Sequence, residues 1–509
     1  RRPGRRDVHR PLTGAALPMT WSDLTVIAPF AGAVVVAALV ILADIARPGN
    51  RHLALGVALA GLIVVGGLIV WAGQSPGTAF GGMYKVDDLT TFLDVVFVAI
   101  VAISCLFAPD YLEPRGLPIA EFAAIIIFAL CGAMLVAASA DLLVLFLGLE
   151  LMVIPGYLLA GYHKRDALST EGAVKYFLLG SFSSAIFLFG LAYVWGLTGS
   201  TRIADVAAHV GQIVAGQATL SPGLAMGLAF LTTGVAFKMA AVPFHYWTPD
   251  AYQGSPTPVT GYLSVGPKVG AFAVVLRVFA EALLPLRQEW LIVIFVLAAL
   301  TMTLGNLVAL TQDNVKRMLA YSSIAHTGYM LVGLAAYAAG VMQGLEGLLF
   351  YGAAYSFMNL GAFAVIAALQ KRPGVSSRLE TFAGLGRREP ALGILMVLFL
   401  LSLTGIPPTA GFFAKAYVIL AAVQAGGWLT VLAVIAVLNA AAAAFYYLRV
   451  IVYMYMRDPA GEPTPVGHGA LLRLGLAITA VMTVILGLFP GLFLASVASA
   501  AQAIGVAIH

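Results

Sequence analysis

Charge is scarce in this sequence. Only 10% of the 509 residues are Asp, Glu, Lys or Arg and 61% are hydrophobic, against about a quarter charged in an average soluble protein. A soluble enzyme is thereby excluded. The two cysteines, Cys105 and Cys131, sit in apolar segments without a C-x-x-C spacing, so the chain encodes neither a disulfide scaffold nor an iron–sulfur or zinc site. No lysine follows a glycine, which removes a P-loop, and no strand, glycine-rich turn and helix succeed one another as a dinucleotide fold requires. The net charge of +5 does not point to nucleic acid, because Lys and Arg lie mainly in short loops between apolar runs, where orientation in a bilayer explains them.

Long apolar runs are what the chain does have. Stretches of about twenty residues recur from Leu24 to Ile504 without a long polar interval, the pattern of an all-α polytopic membrane protein. Pro, Gly and charge clusters punctuate fourteen spans: about 24–46, 52–72, 89–109, 118–139, 141–162, 168–198, 222–247, 256–284, 290–311, 315–338, 345–369, 391–425, 428–456 and 470–502. An even count puts both termini on one side. Fifteen Lys and Arg residues, Lys316 among them, fall in loops or borders opposite the termini, and four (Lys85, Arg202, Arg277 and Arg287) fall on the terminal side. This bias predicts a cytoplasmic location for the richer face and an extracytoplasmic one for the termini. The first eighteen residues, with five arginines and no apolar core, read as an upstream extension or an expression remnant rather than a signal peptide.

Four lysines remain inside the spans, Lys175, Lys238, Lys268 and Lys415, and Glu150 joins them. At about 2.5–3.5 kcal/mol each, five unpaired charges at helix centres would cost on the order of 12–18 kcal/mol, which rivals the stability of a whole domain. They must be paired, neutralised or turned to water inside the bundle. Lysine can lose its proton when desolvated and arginine cannot, so a row of buried lysines without buried arginines reads as a proton path. Plainer roles exist for each: Lys175 lies near the start of its span and can snorkel, and Glu150 can hydrogen-bond between helices. Depth favours pairing those two: Glu150 lies about 18 Å from Tyr162 and Lys175 about 12 Å from Ala167 at 1.5 Å per residue, and a lysine stem of about 6 Å covers the difference.

Two of these spans contain their own breaks. Lys238 precedes Pro243, Lys415 follows Pro407 and Pro408, and Pro267 directly precedes Lys268. Proline in a spanning helix frees carbonyls, which is tolerated beside a hydrated cavity or in a protein interior, and paired breaks point to a transporter built from repeats. His326 lies mid-span beside Tyr321, Ser322, Ser323 and Thr327, where it either relays a proton or packs. His245 reads as structural or as a gate; His9, His52, His163, His209, His468 and His509 fall in loops or tails.

Taken together, LGLELMVIPGYLLAGY, EGAVKYFLLGSFSSAIFLFG, FKMAAVPFHYWTPDAYQGSPTPVTGYLSVGPKVGAF, NVKRMLAYSSIAHTGYML and GIPPTAGFFAKAYV resemble the antiporter-like subunits of proton-pumping NADH-quinone oxidoreductase, respiratory complex I. The likeness covers about residues 20–500 and is closest to the N type. After Pro243 the chain lacks the second histidine and the acidic residue usual in the L and M types. Position 415 is lysine where the M type has glutamate, and no long lateral helix of the L type follows the fourteenth span.

The resemblance implies three N-terminal spans (19–117), two inverted five-helix repeats (118–284 and 290–456), a last span within 470–509, and discontinuous spans 7 and 12. It assigns Glu150 and Lys175 to a charged pair, Lys238 to the central lysine, Lys268 to the lysine of span 8 and Lys415 to the terminal lysine; His326, read from its surroundings alone, joins them as a further candidate relay. No cofactor or metal is expected in this chain; FMN, iron–sulfur clusters and quinone belong to other subunits. The implied partners are neighbouring antiporter-like and small membrane subunits, lipid and, indirectly, the peripheral redox arm, in a bacterial plasma membrane. A subunit of a stand-alone cation/proton antiporter is the alternative, and a passive assembly scaffold would leave the buried lysines unexplained.

Overall fold

The computed structural model describes residues 21–216, 220–458 and 467–505. The predicted leader, His9 and His509 lie outside the described residues. Nineteen helices and one small hairpin make up the described fold. In chain order the helices are α1 (Trp21–Ala46), α2 (Arg51–Gly73), α3 (Asp88–Leu112), α4 (Ile119–Ala137), α5 (Leu142–Ala160), α6 (Ala167–Thr198), α7 (Ile203–Ala215), α8 (Pro222–Lys238), α9 (Trp247–Gly254), α10 (Thr257–Val275), α11 (Arg287–Ala309), α12 (Val315–Ala338), α13 (Met342–Leu369), α14 (Leu385–Arg388), α15 (Pro390–Thr404), α16 (Ala410–Ala425), α17 (Leu429–Met456), α18 (Ala470–Leu488) and α19 (Gly491–Gly505). Strands β1 (Gly77–Ala79) and β2 (Tyr84–Val86) pair antiparallel between α2 and α3.

Helix starts are set by local chemistry. Asp141, Asp166, Ser221 and Asn314 cap α5, α6, α8 and α12 through side-chain oxygens that accept orphan backbone N–H groups. Two cross-links between segments have the same form. Leu142 N donates to Thr201 O at 2.8 Å and Ile203 N to Ala140 O at 3.0 Å; Val315 N donates to Ser377 O at 2.7 Å and Leu379 N to Asp313 O at 2.9 Å. In each, the cap side chain takes a further hydroxyl bond, Thr201 to Asp141 at 2.6 Å and Ser377 to Asn314 at 3.1 Å.

Eleven described helices are long and apolar enough to cross a membrane. The other three predicted spans coincide with α8, with the polar-rich α12, and with the α15–α16 pair, each too short or too polar to meet that standard alone. The segment 470–502, expected as one helix, divides at Phe489–Pro490 into α18 and α19, because proline lacks the N–H that would continue the ladder. The expected breaks in spans 7 and 12 are present. Helix α8 ends at Lys238 before α9 starts at Trp247, and α15 ends at Thr404 before α16 starts at Ala410.

The interior is built on α10, which is buried along its whole length, with α12 and α13 against it. Outward faces of α1, α2, α6, α11 and α17 expose large apolar side chains such as Ile63, Phe182, Ile292 and Phe445. So much exposed apolar surface suits a hydrocarbon surround, not water.

Candidate functional site

The site is a line of basic side chains running through the interior between the two helix breaks. Lys238 is the last residue of α8, where the helix presents its negative dipole end to the ammonium. Its Nζ donates to Ser184 Oγ at 2.8 Å, Tyr157 Oη at 3.3 Å and the Gly180 carbonyl at 3.4 Å. Glu150 lies 3.8 Å away, joined mainly through Ser184, whose hydroxyl donates to Glu150 Oε1 at 2.5 Å. Gly180 is required there, since a Cβ would strike the Tyr157 hydroxyl.

The next amine is Lys268 on α10, buried, with Nζ donating to both the carbonyl and the hydroxyl of Ser323 on α12. One turn further along α12, His326 is held between two phenols: Nδ1 lies 2.7 Å from Tyr351 Oη and Nε2 lies 3.2 Å from Tyr447 Oη. Tyr447 in turn shares a short hydrogen bond with Ser322. Beyond His326, Tyr329 offers its ring to Lys415 Nζ, 4.9 Å from the centroid.

Lys415 sits in the first turns of α16 and reaches back across the break. Its Nζ donates to the carbonyls of Leu403 at 2.9 Å and Thr404 at 2.7 Å, the unpaired C-terminal carbonyls of α15. Gly405, which ends α15 at φ 92°, leaves space for that side chain: its ideal Cβ would lie 3.0 Å from Lys415 Cδ.

The structure therefore brings together Glu150, Lys238, Lys268, His326 and Lys415 as a discontinuous series. It separates Lys175 from Glu150. Lys175 instead bonds Glu171 at 2.5 Å and Asp250 at 2.6 Å, with 42% of its side chain exposed. The predicted pairing considered depth only. Ser184, which does meet Glu150, is nine residues from Lys175, and nine residues on an α-helix turn through about 900°, so the two lie on opposite faces. Asp250 also takes Arg317 at 2.6 Å. Burial works against its charge, but the Lys175 and Arg317 cations prevail and hold its carboxyl below the usual range.

Two residues expected in loops are interior. Arg277 is fully buried and pairs with Asp87 at 3.0 Å and Glu281 at 2.5 Å, so the expectation of buried lysines without a buried arginine is corrected. Arg277 lies inside the span expected at 256–284, and its i,i+4 spacing to Glu281 was the available signal. Lys316 is likewise buried, with Nζ on the Ser255 carbonyl at 2.5 Å. His245 is buried against Tyr246, and its Nδ1 has no hydrogen-bond partner among the described residues.

Sequence reasoning also missed the hydroxyls. Tyr157 lies seven residues after Glu150 on α5, and Tyr351, Tyr355 and Asn359 recur every four residues through the apolar run of α13. Both spacings put polar groups on one inward stripe, a pattern readable without coordinates. Among the described residues no group of three His, Cys, Asp or Glu side chains could hold a metal ion.

A family description for the transmembrane part of NADH:quinone oxidoreductase and Mrp antiporter subunits matches residues 139–439. NADH-quinone oxidoreductase subunit N of Chloroflexus aggregans is 43% identical over 92% of this chain and 95% of its own length. Subunit N of Trichlorobacter lovleyi is 42% identical over 86% of this chain and 88% of its own. Among solved structures, a chain of respiratory complex I from Thermus thermophilus with bound aureothin superposes with a TM-score of 0.77 at 33% identity, covering 92% of this chain and 99% of that one. A chain of the Mrp complex from Dietzia sp. DQ12-45-1b gives 0.78 at 23% identity, covering 96% and 98%, a likeness of fold alone. With a family description matching more than half of its length and a relative 43% identical over 92% of it, the chain belongs to the NADH:quinone oxidoreductase/Mrp antiporter transmembrane family.

Proposed function

We propose that this chain is the antiporter-like, proton-translocating membrane subunit of an NADH-quinone oxidoreductase. It holds no redox centre of its own; quinone reduction fed by FMN and iron–sulfur clusters in other subunits sends an electrostatic disturbance along the membrane arm, and this chain turns it into proton transfer. The single observation that carries the reading is the series of buried amines whose nearest partners are hydroxyls, phenols and backbone carbonyls. A stability function would pair or remove such groups.

In this mechanism Glu150 biases the charge of Lys238 through Ser184. Lys238 loads a proton, Lys268 and His326 pass it along through water and the Tyr351 and Tyr447 hydroxyls, and Lys415 releases it at the second break. Lys175, with Glu171 and Asp250, tunes the field from the loop face. Opposite charge raises an amine's proton affinity and desolvation lowers it, so a change in Glu150's influence moves protons along the row.

The chain crosses the membrane fourteen times in this reading, with α8–α9, α15–α16 and α18–α19 each serving as one interrupted crossing. The two cross-links of identical form, at Asp141 and at Asn314, support five-helix repeats at 118–284 and 290–456, inverted because five crossings reverse direction. The face bearing Lys164, Arg165 and Arg317 is cytoplasmic and the termini are extracytoplasmic, in a bacterial plasma membrane. Neighbouring antiporter-like and small membrane subunits flank it, with the redox arm acting from a distance. A subunit N relative at 43% identity favours this reading over a stand-alone cation/proton antiporter.

The test is NADH-driven proton uptake by vesicles carrying the assembled complex. Lys238→Ala and Glu150→Ala are expected to reduce uptake strongly while the complex still assembles; unimpaired pumping in both removes the mechanism. Uptake driven by an ion gradient with this subunit purified alone would favour the antiporter instead.

A further inference from the structure

Lys316 has no part in the relay described above, yet it is placed at its margin. It is the second residue of α12, only 3% exposed, and its one hydrogen-bond partner among the described residues is the Ser255 carbonyl at 2.5 Å. No carboxylate among the described residues lies within ion-pair distance of it, although its neighbour Arg317 takes Asp250. An ammonium carries three donors, and a helix N-terminus adds partial positive charge of its own. A lysine that merely anchors a loop would stand in solvent or against an acid.

The surroundings connect it in two directions. Outward, the next residue, Arg317, pairs with Asp250, which also holds Lys175 and is 29% exposed, so solvent reaches a charged cluster adjacent to Lys316 in the chain. Inward, Lys316 and Ser323 are seven residues apart on one stripe of α12, about 10.5 Å along the axis. Polar groups of α9 and α10 fill that interval. The Ser255 carbonyl that receives Lys316 also accepts Thr260 Oγ1 at 3.3 Å, and Thr260 donates to the Tyr252 carbonyl at 2.9 Å. The Tyr252 hydroxyl donates to the Leu263 carbonyl at 3.0 Å and stands close to Ser323, whose Oγ accepts from Lys268 Nζ at 2.6 Å.

We propose that Lys316 is the proton-loading residue for Lys268, fed from the Asp250 face. An N–H bond of the Lys316 ammonium breaks, the proton crosses water and the Tyr252 and Ser323 hydroxyls, and an N–H bond forms on the Lys268 amine. The vacated Lys316 amine takes its next proton from water at the Asp250 face; no electron moves. This rests on the relay reading of the preceding section and adds an inlet to it.

The experiment uses the whole complex in vesicles, with proton uptake measured per NADH oxidised and assembly checked by co-purification of the other subunits. Lys316→Arg keeps the charge but cannot release a proton, whereas Lys316→His can. Lys316→Arg and Lys316→Met are expected to lower uptake by about tenfold or more, with Lys316→His recovering part of it. Wild-type uptake in the Arg or Met variant, or uptake in His no better than in Arg, overturns the proposal. If Met prevents assembly, the Arg-to-His comparison decides alone. Lys415→Met runs alongside: if it too pumps normally, the relay itself falls, and if it is blocked while the Lys316 variants pump, only this inlet falls.

Discussion

Two buried cationic regions of this protein solve the same problem in opposite ways. Around Arg277, where α3, the hairpin and the π-helical turn Leu276–Ala282 meet, the guanidinium is enclosed by Asp87, Glu281, Thr90 and the Ala137 carbonyl, and Lys85 joins the same carboxylates. Arg277 and Lys85 each meet both Asp87 and Glu281, and arginine does not release its proton. Along the lysine series, by contrast, Lys238 alone has a carboxylate within reach among the described residues, and Lys268 and Lys415 rest on neutral oxygens. The first arrangement is a permanent clamp. In the second, each amine is held by groups that accept a hydrogen bond without demanding a fixed charge, which is what a transferable proton needs.

Substitutions can break that contrast. The largest effect is expected from Lys415→Met, which deletes the amine at the second break: NADH-driven proton uptake should fall by about 10²-fold or more while thermal stability changes little. Arg277→Met should do the reverse. Removing one partner of a buried ionic cluster costs about 3–5 kcal/mol, so the purified complex should unfold at a lower temperature while assembled molecules retain their pumping per NADH. Equal effects of the two on transport would abolish the distinction between clamp and relay.

Smaller changes sharpen it. Ser184→Ala removes the hydroxyl between Glu150 and Lys238, and loss of one such bond, about 0.5–1.5 kcal/mol, should slow uptake by roughly two- to tenfold. The mildest test is pH. Burial tends to raise the Asp87 carboxyl, but Arg277 and Lys85 outweigh it and hold it below the ordinary carboxylate range. Its contribution to stability is therefore present above about pH 4, the unfolded value, and is lost as pH falls further. Asp87→Asn should lower the melting temperature at pH 7, and its deficit should narrow below pH 4; a deficit that stays constant would show that Asp87 acts through shape and not charge.

Much of the architecture was legible because bilayer burial leaves a compositional record. Apolar runs marked the crossings, and Pro243, Pro407 and Pro408 marked both interruptions, since proline cannot continue a backbone ladder. Lys238, Lys268 and Lys415 were conspicuous for a thermodynamic reason: charge in an apolar span is too costly to be incidental. What misled was direction. Lys175 and Glu150 lie within a lysine stem's reach in depth but face different sides of the α5–α6 pair, and Lys316 and Arg277 looked like loop charges because they stand near the ends of their spans.

The sequence by itself determined that this chain lives in a membrane, where its helices break, and which side chains are too expensive to be there without purpose. Only the tertiary structure decided who meets whom: that Glu150 faces Lys238 through Ser184, that Lys415 reaches back to the carbonyls of α15, and that His326 is suspended between Tyr351 and Tyr447. The reason is geometric. Hydropathy is a property of a segment and survives averaging along it, whereas a hydrogen bond depends on the rotation of two helices to within a fraction of a turn, which no single segment encodes.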